Sequence, residues 1–412
     1  MTYRTLTKCL ACGSENLRPY FRASDQPPAN MLRPIGMPPV RPRYPLGLNV
    51  CVDCWHSQNL VAVDPDKLFT DYPYVSSTSQ TLLDYFEQFV DRVEADFMPR
   101  KLRVLDIAAN DGSLLAAFKA RGHEVLGVDP AENLVALSEE VGVIVLPWFW
   151  ERLPEHYLRG KFDVIVAMNV LAHVENPALF LRLARLSLNP GGRIYVQTSQ
   201  ARMIERGEFD TVYHEHLSFF TARSLDALMG RCGLTLLGVE RVPIHGTSYL
   251  ATMAAGAPFS TEQSEIVTTE RAAGYYDLAL YDGFQKRAED VAARAGASID
   301  IYRAKGFRVV GFGAAAKAIT FLNFAGIELD AMVDENPLKQ GKLLPMQNTS
   351  ISDLGGFRLL DMPPRILWVI GAWTMRDEIM AKIHDARPGA RDAFLAYFPE
   401  VEIEDPEMVH AL

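Results

Sequence analysis

The sequence predicts an α/β protein in which two sheet domains follow a small cysteine-rich module. Three observations support this fold class: two Cys-x-x-Cys pairs near the start, alternating apolar strands and helices from about residue 102, and a second such run from about residue 307. A chain of 412 residues is also too long for one ordinary hydrophobic core. We therefore expect four segments, at residues 1–80, 81–255, 256–303 and 304–412.

The first segment contains the two cysteine pairs. Four thiolates at this spacing suit tetrahedral zinc, and a closed shell of four sulfurs leaves no open position for a reaction, so the metal would be structural. The proline-rich stretch between the pairs could not form a core alone, and a metal ion would stabilise it. Reduced cysteines without metal are the alternative. The predicted zinc ligands are Cys9, Cys12, Cys51 and Cys54.

The second segment begins with a predicted helix at about 81–95, followed by a strand, a small-residue turn and another helix, and the alternation of strands and helices predicts a parallel sheet. A dinucleotide-binding turn needs several glycines so that the backbone can approach a pyrophosphate, and this turn has only Gly112. It suits S-adenosylmethionine better, because this donor has no phosphate and its ribose diol could bind the Asp129 carboxylate. A generic α/β sheet is the alternative. The predicted donor-binding residues are Asp106, Ala108, Asn110, Gly112, Asp129, Pro130 and Asn169.

The last two segments differ from each other in composition. Residues from about 261 to 303 are rich in alanine and charge and predict a connecting helix. The motif Gly311-x-Gly313-x-x-Ala316 then fits a relaxed dinucleotide pattern, so an NAD(P)-dependent sugar oxidoreductase stays open as an alternative function. Lys317 and the lysines that follow it would suit the diphosphate of a nucleotide-sugar instead. The acidic end of the chain is predicted to be a surface tail.

A dense polar run interrupts the apolar pattern of the second segment. Tyr213, His214, Glu215 and His216 are consecutive, and burying them is costly unless each finds a partner. A ketone acidifies its α C–H, and an imidazole can remove that proton at neutral pH. A carboxylate would orient the imidazole, and a phenol could donate to the enolate oxygen. Metal binding and ordinary buried polar residues are the alternatives.

Two further histidines occupy positions that predict ligand contact. His173 follows the third strand of the first sheet, at the carboxyl edge where a substrate would face the methyl donor. His245 begins a turn of small residues that would allow close approach of a ligand.

The charge and the distribution of apolar residues exclude some classes of protein. The net charge is −10 and the isoelectric point is near 5.5, which argues against a nucleic-acid surface. No apolar run approaches the roughly 18 residues of a membrane span. The start of the sequence has no apolar region like that of a signal peptide, so a cytoplasmic location without membrane binding is expected.

Several blocks of the sequence together resemble the zinc-containing, S-adenosylmethionine-dependent C-methyltransferases of deoxysugar biosynthesis, which act on nucleotide-linked 4-ketosugars. The resemblance covers nearly the whole chain, and the Tyr-His-Glu-His run is its most specific part. It implies a zinc-binding amino-terminal module, a Rossmann-like donor-binding domain and a carboxy-terminal Rossmann-like domain for the nucleotide-sugar. The matching blocks are the cysteine pairs, Asp71–Ser77, Asp106–Ser113, Asn169–Pro177, Tyr213–Phe220, the His245 turn and Val333–Lys342.

The resemblance also implies roles for individual residues. It makes His216 the base that removes the C3 proton of the sugar, with a tyrosine of the 71–77 loop nearby, for which we favour Tyr74 over Tyr72. Thr247 departs from the family's pattern, as does the segment 346–349, and both departures bear on the exact substrate and the position methylated. An O- or N-methyltransferase, in which the same histidine deprotonates a hydroxyl or an amine, is an alternative. The predicted catalytic residues are His216, Glu215, Tyr213, His173 and Tyr74. The predicted substrate-binding residues are His245, Ser248, Gly313, Lys317, Asp334, Asn336 and Lys339.

Overall fold

The computed structural model describes residues 3–40, 43–97, 99–154, 157, 161–244, 246–256, 264–358 and 365–407. Among these residues, no helix is both long enough and apolar enough to cross a membrane. The predicted α/β fold class is confirmed, with a small amino-terminal module followed by two sheet-containing regions.

The amino-terminal module is built from short strands, because its many prolines leave few unbroken stretches of backbone donors. Strands β2, β4 and β5 form an antiparallel sheet, and β1 pairs with β6. Every residue of β4, β5 and β6 is buried, so the module packs closely against the rest of the chain. The elements are β1 (Tyr3–Thr5), β2 (Leu17–Arg22), β3 (Arg33–Pro34), β4 (Gly47–Cys51), β5 (Ser57–Asn59), β6 (Val61–Val63) and α1 (Asp66–Phe69).

The central region opens with an amphipathic helix whose apolar face lies on the first sheet. The Ser79 side chain caps this helix by accepting from the Leu82 N–H. Alternating helices and strands follow. The elements are α2 (Gln80–Ala95), β7 (Arg103–Ile107), α3 (Ser113–Ala120), β8 (Glu124–Val128), α4 (Glu132–Glu140), β9 (Val145–Leu146), β10 (Phe162–Met168), α5 (Pro177–Ser187), β11 (Leu188–Ser199), α6 (Arg202–Arg206), β12 (Ser218–Phe219), α7 (Ala222–Cys232), β13 (Leu234–Val242) and β14 (Ser248–Ala255).

The first sheet is mixed, whereas the strand–helix alternation predicted a parallel sheet. Its order in the described residues is β13-β14-β11-β10-β7-β8-β9. The five strands from β11 to β9 are parallel, but β14 is antiparallel to β11 and to β13. The prediction fails at this edge because β13 and β14 are joined by a short turn, and a short connection gives antiparallel strands.

The connecting segment is a set of three helices within the described residues, not the single helix that its composition predicted. The breaks coincide with Gly274, which has a φ of +83°, and with Gly283. The predicted start near residue 261 lies outside the described residues. The helices are α8 (Glu265–Ala272), α9 (Leu278–Asp282) and α10 (Phe284–Ala304).

The carboxy-terminal region carries the second sheet, in the order β18-β16-β15-β19-β20-β21 among the described residues. Its strands are parallel except β21, which pairs antiparallel with β20. The acidic end is therefore part of the sheet as far as Glu404 and is not simply a tail. The elements are β15 (Arg308–Phe312), α11 (Ala316–Ala325), β16 (Ala331–Val333), β17 (Lys342–Leu343), β18 (Ile351–Ser352), α12 (Leu354–Arg358), β19 (Ile366–Ile370), α13 (Arg376–Ala386), β20 (Ala393–Ala396) and β21 (Glu402–Glu404).

The amino-terminal module is hydrogen-bonded to both sheet regions. Strand β3 pairs with β17 of the carboxy-terminal region, and the buried guanidinium of Arg33 donates to the Leu344 carbonyl at 3.0 Å. Strand β12, which follows the polar run, pairs antiparallel with β5 and extends the module's own sheet. The three parts of the chain therefore meet around one space.

Candidate active site

A cavity of about 690 Å³ lies where the three regions meet. The amino-terminal module contributes Asn30, the edge of the first sheet contributes Asp129 and Asn169, and the second sheet contributes Lys317. The polar run contributes His216. The amino-terminal module, the central region and the carboxy-terminal region therefore all reach one chamber, which is large enough for a small-molecule ligand.

The four paired cysteines form a metal site at the edge of the module. Their Sγ atoms all lie within 4.8 Å of one another, and the Cys9–Cys54 and Cys12–Cys51 sulfurs are 3.5 and 3.6 Å apart. Tetrahedral zinc with bonds of about 2.3 Å separates its sulfur ligands by about 3.8 Å. The residues therefore fit a zinc ion, and the four sulfurs complete its coordination, so the predicted structural zinc is confirmed.

The first-sheet turn (residues 106–112, the donor turn) is shaped by carboxylates. Asp129 accepts from the Asn110 N–H at 2.9 Å and from the Ala131 N–H at 2.8 Å. Asp106 is buried, its Oδ1 has no hydrogen-bond partner among the described residues, and burial beside Asp129 raises its pKa well above the usual range. Burial raises the pKa of Asp129 as well, and the two carboxyl groups line the cavity together.

The donor turn holds unusual backbone conformations. Ala108 and Asn110 have φ values of +65° and +53°, and Asn169 on the neighbouring strand has +57°. Non-glycine residues in this region cost about 1–3 kcal/mol each, and such strain is concentrated at ligand sites. Gly112 does not line the cavity; a Cβ there would lie 2.4 Å from the Val143 side chain, so glycine is required for packing.

The 71–77 loop covers the donor turn and is held from three sides. Asn110 donates to the Tyr74 carbonyl and accepts from the Ser76 N–H, at 3.0 and 2.9 Å. Asn133 on α4 binds both backbone groups of Tyr72. From the carboxy-terminal region, Asn336 donates to the Pro73 carbonyl at 2.7 Å. The loop therefore joins the donor turn to the second sheet.

The polar run places two imidazoles against the cavity, those of His214 and His216, and the contacts of His216 define its tautomer. The Nδ1 of His216 lies 2.9 Å from the Thr211 carbonyl oxygen. Because a carbonyl only accepts, Nδ1 carries the hydrogen, and in the neutral ring Nε2 is then the accepting nitrogen. The Tyr213 hydroxyl lies 2.8 Å from Nε2 and donates to it in that tautomer. The nitrogen of His216 that can take up a proton therefore faces a phenol.

Burial controls the charge of the groups around His216. It raises the pKa of Tyr213 well above its ordinary value, so the phenol stays a hydrogen-bond donor. Burial also raises the pKa of Glu215 to about 7 and lowers that of His214 to about 4. Glu215 does not line the cavity; it lies behind it and accepts hydrogen bonds from Asn30.

The other predicted catalytic residues also reach the cavity. The His173 ring is edge-on to His216, with centroids 5.0 Å apart. Tyr72 and Tyr74 both line the cavity. Tyr72 has the electrostatic contact with Tyr213, and its pKa is raised by burial and then by the nearby carboxylate of the polar run. Tyr72, and not only the preferred Tyr74, is therefore a candidate for contact with a substrate beside the polar run.

The carboxy-terminal region contributes Lys317 to the cavity; in the part of the chain that the structure describes it has no ion pair, but Asp210 and Glu208 interact with it electrostatically. The Lys317 ammonium lies over the Trp373 ring at 5.2 Å, and Trp373 donates to the buried Asp210 at 2.8 Å. Lys339 also lines the cavity, but it is bound to Asp334 at 3.1 Å. The same carboxylate accepts from a backbone N–H of the glycine-containing turn, so it is fully engaged.

The remaining predicted substrate residues divide into two groups. Ser248 lines the cavity, and its hydroxyl donates to the Ile244 carbonyl at 3.1 Å. Gly313, Asp334 and Asn336 do not line the cavity. His245 lies outside the described residues.

Residues that sequence reasoning missed complete the cavity wall. Arg202 and Arg206 of α6 lie beside the cavity, as does Asn30 of the amino-terminal module. The arginines come shortly after the end of a strand of the first sheet, and this position is the feature of the sequence that could have indicated them. Asn30 lies in a proline-rich stretch whose path the sequence does not reveal.

Comparisons with known proteins agree with this arrangement. A zinc-binding domain model matches residues 9–69, a methyltransferase domain model matches 80–239, and a model of the C-methyltransferase C-terminal domain matches 243–399. The C-methyltransferase NovU of Streptomyces niveus is 28% identical over 354 residues, which are 83% of this chain and 84% of that protein. Three consecutive regions of the chain are therefore matched in order.

Other similarities are confined to the central region. The ubiquinone biosynthesis O-methyltransferase of Bradyrhizobium sp. (strain ORS 278) is 37% identical over 100 residues, 24% of this chain and 40% of that protein. The crystal structure of magnesium protoporphyrin IX methyltransferase from Synechocystis PCC 6803 with bound S-adenosylmethionine covers 42% of this chain and 78% of that one, at 16% identity and a TM-score of 0.34. A TM-score this low carries no argument about the function of the chain.

Fold, cysteine site and matched regions define an S-adenosylmethionine-dependent methyltransferase with a structural zinc ion. The chain is thus similar to the zinc-containing C-methyltransferases over most of its length, and the resemblance that its sequence blocks predicted is confirmed. Its other substrate is a small molecule.

Proposed function

We propose that this enzyme methylates the carbon next to the ketone, C3, of a nucleotide-linked 4-keto-deoxysugar, with His216 as the general base. The observation that carries the proposal is the position of His216. Its lone pair at Nε2 is in the same cavity as the donor turn and the Lys317 ammonium. A base, a methyl-donor site and an anion-binding group are what this reaction needs in one chamber.

The residues around His216 support removal of a proton from carbon. The Thr211 carbonyl fixes the Nδ1–H tautomer and stabilises the imidazolium that forms when Nε2 takes the C3 proton. The ketone oxygen then becomes an enolate oxygen. The Tyr213 phenol, which burial keeps protonated, donates to that oxygen once substrate displaces it from Nε2.

Neighbouring groups complete this arrangement. His173 and a tyrosine of the 71–77 loop, Tyr74 or Tyr72, lie around the same space and provide further donors. Glu215 lies one residue from His216 with a pKa of about 7, so it can exchange a proton at neutral pH. It would assist His216 from behind the cavity wall and not by touching the sugar.

The donor turn would hold S-adenosylmethionine through Asp129, Asn110 and Asn169, with Asp106, Ala108 and Pro130 beside it. When bound, this cofactor supplies an electrophilic methyl group on a sulfonium sulfur. The protein's part is to align the C3 carbanion with that methyl group and to keep water out. The 71–77 loop, hydrogen-bonded to Asn110, closes this part of the cavity.

Basic side chains of the cavity wall support binding of a diphosphate. Lys317, Arg202 and Arg206 line the same chamber as the donor turn, although Arg206 is ion-paired with Glu208 at 3.4 Å. Lys339 is already neutralised by Asp334, so it contributes less to binding an anion than the sequence predicted. The engagement of Asp334 also removes the carboxylate that a dinucleotide ribose would require, which disfavours a nicotinamide cofactor in the second sheet.

The direct test is His216→Asn. We expect turnover to fall by about 10²–10⁴-fold, because general-base catalysis contributes a factor of this size. Binding of S-adenosylhomocysteine, measured by calorimetry, should be unchanged. Full activity of this variant would refute the assignment of the base.

Product analysis separates the proposal from methylation at oxygen or nitrogen. Incubation with a nucleoside-diphosphate-linked 4-keto-6-deoxyhexose should give a product whose NMR spectrum shows loss of the C3 proton and a new methyl group on carbon. A methyl ether or methylamine signal would refute C-methylation of this acceptor.

A further inference from the structure

The strand that follows the proposed base belongs to the sheet of the zinc module. Strand β12 pairs antiparallel with β5, with Ser218 opposite Gln58 and Phe219 opposite Ser57. The ladder continues beyond the strand, because the Asn59 N–H donates to the Leu217 carbonyl at 3.0 Å. The backbone immediately after His216 is therefore held by the module.

The side chain of Asn59 makes a second attachment on the other side of His216. Asn59 is fully buried, and its amide nitrogen donates to the Tyr213 carbonyl at 3.3 Å. Its amide oxygen accepts from the Leu60 N–H at 2.8 Å, which fixes the rotamer. The Tyr213 carbonyl also accepts from the His216 N–H at 3.0 Å. One asparagine thus fixes both ends of the turn that carries the imidazole.

Strand β5 is in turn attached to the zinc site. Gln58 accepts from the Leu10 N–H at 2.8 Å and donates to the Lys8 carbonyl at 3.0 Å. Leu10 lies between two of the zinc-binding cysteines, and β5 begins three residues after Cys54. The two cysteine pairs therefore fix the position of β5 from both sides.

The opposite face of the same turn contacts the segment that carries the second histidine. The Leu217 N–H donates to the Ala172 carbonyl at 2.8 Å, next to His173. The turn is thus held between β5 and the His173 segment. A shift of β5 would change the 5.0 Å separation of the two imidazole rings and the contacts of His216 with Tyr213 and Thr211.

We propose that the zinc module positions the base, through β5 and the side chain of Asn59, in addition to stabilising the fold. The inference rests on the proposed function, since it takes His216 as the base. Asn59 is a positioning residue, because it touches the backbone of the turn and lies outside the cavity wall. It lies 154 residues from its partner Tyr213 in the sequence.

Two substitutions separate positioning from folding. Asn59→Ala removes the amide, whereas Asn59→Ser keeps a short polar group that cannot reach the Tyr213 carbonyl. We expect turnover to fall by about 10- to 100-fold in both, as for other groups that orient a reacting residue. The affinity for S-adenosylhomocysteine should change less than about twofold, because the donor turn is not in contact with Asn59.

The matched control is Asn49→Ala. Asn49 is a buried asparagine of the adjacent strand β4, opposite Gln58 in the ladder. In the described residues, no hydrogen bond joins its side chain to the turn at 213–217. We expect turnover of this variant to stay near that of the unchanged protein.

A spectroscopic readout makes the test independent of the substrate. Nitrogen-15 NMR of the histidine rings, with His216 assigned by its absence in His216→Asn, should show protonated Nδ1 and free Nε2 in the unchanged protein. The Asn59 variants should show a mixture of tautomers or an additional set of shifts. Removal of zinc from the unchanged protein with a chelator should produce the same change while S-adenosylhomocysteine still binds.

Unchanged His216 shifts in both the Asn59 variants and the zinc-depleted protein would overturn the inference. If neither Asn59 variant folds, the His216 nitrogen shifts of the zinc-depleted protein alone test the inference. Failure of the proposed function would look different. Full activity of His216→Asn would refute the role of His216 as the base, but the His216 nitrogen shifts of the unchanged protein and of the Asn59 variants would still differ as expected here.

Discussion

At the scale of single residues, the site depends on buried groups whose charge is suppressed by their surroundings. Burial keeps His214 and Tyr213 neutral, while the Thr211 carbonyl selects one tautomer of His216. Glu215 is the sensitive member of this group, because it is only 1% exposed and its pKa lies near neutrality. An ionised Glu215 in this place destabilises the folded state.

This pKa shift predicts a pH-dependent stability. Burial raises the Glu215 pKa from its ordinary 4.5 to about 7, so between these values the folded state holds a proton that the unfolded state has lost. Its contribution therefore declines as the pH rises through this window, by up to about 3 kcal/mol. Urea unfolding at pH 5 and pH 8 should show Glu215→Gln losing less stability over this range than the unchanged protein. Equal losses in the two proteins would contradict the assignment.

At the scale of elements, the 71–77 loop is the part of the cavity with the most separate attachments. Its backbone is bound by the donor turn, by α4 and by the carboxy-terminal region. These hydrogen bonds cost little to break one at a time, since a single bond contributes about 1 kcal/mol. We therefore expect the loop to open when the donor enters and to close over it, which the next substitution tests.

The attachment to α4 gives a second prediction. Asn133→Ala removes both hydrogen bonds to the Tyr72 backbone, so closure over the donor should weaken. We expect the dissociation constant of S-adenosylhomocysteine to rise about 3- to 10-fold, as measured by calorimetry. Glu139→Ala, on an exposed face of the same helix, should bind normally. A donor affinity unchanged by Asn133→Ala would show that the loop does not close the donor site.

The sequence predicted the elements better than their connections. The helix expected near 81–95 is present as α2, and the donor turn follows a strand as expected. The connecting helix was predicted as one because alanine-rich composition favours helix throughout, whereas Gly274 and Gly283 divide it. Antiparallel pairing of β14 was missed because local pattern does not reveal which strands are neighbours.

The residues of the site show the same difference between local features, which the sequence reveals, and long-range contacts, which it does not. His216 and His173 were predicted because their chemistry is visible in consecutive letters of the sequence. Asn59 was not, because an asparagine in a strand of the zinc module has no distinguishing pattern, and its partner is 154 residues away. The ion pair between Lys339 and Asp334 was likewise not visible in the sequence, although both residues were predicted to bind the substrate.

At the scale of the whole molecule, the zinc module is bonded to both sheet regions. Strands β3 and β5 pair with β17 and β12, which belong to different parts of the chain. The hydrophobic core is shared in the same way: Leu48 of β4, Phe209 near the polar run and Leu322 of α11 lie in one cluster. The module is therefore not an independent appendage.

This sharing predicts how the protein unfolds without metal. Zinc depletion should shift the main calorimetric transition downward by about 5 °C or more, because structural zinc contributes directly to the folding free energy. Readdition of zinc should restore the transition. A separate small transition for the module, with the main one unmoved, would show that the regions unfold independently.

The pairing of β5 with β12 limits how this protein can be divided. A fragment cut at the borders of the methyltransferase domain, near residues 80 and 239, would keep the donor turn and His216 but lose the strand against which the segment after His216 is aligned. Such a fragment would also lose the 71–77 loop over the donor turn and strand β14 of the first sheet. Attempts to exchange domains between relatives should therefore move the zinc module and the histidine segment as one unit.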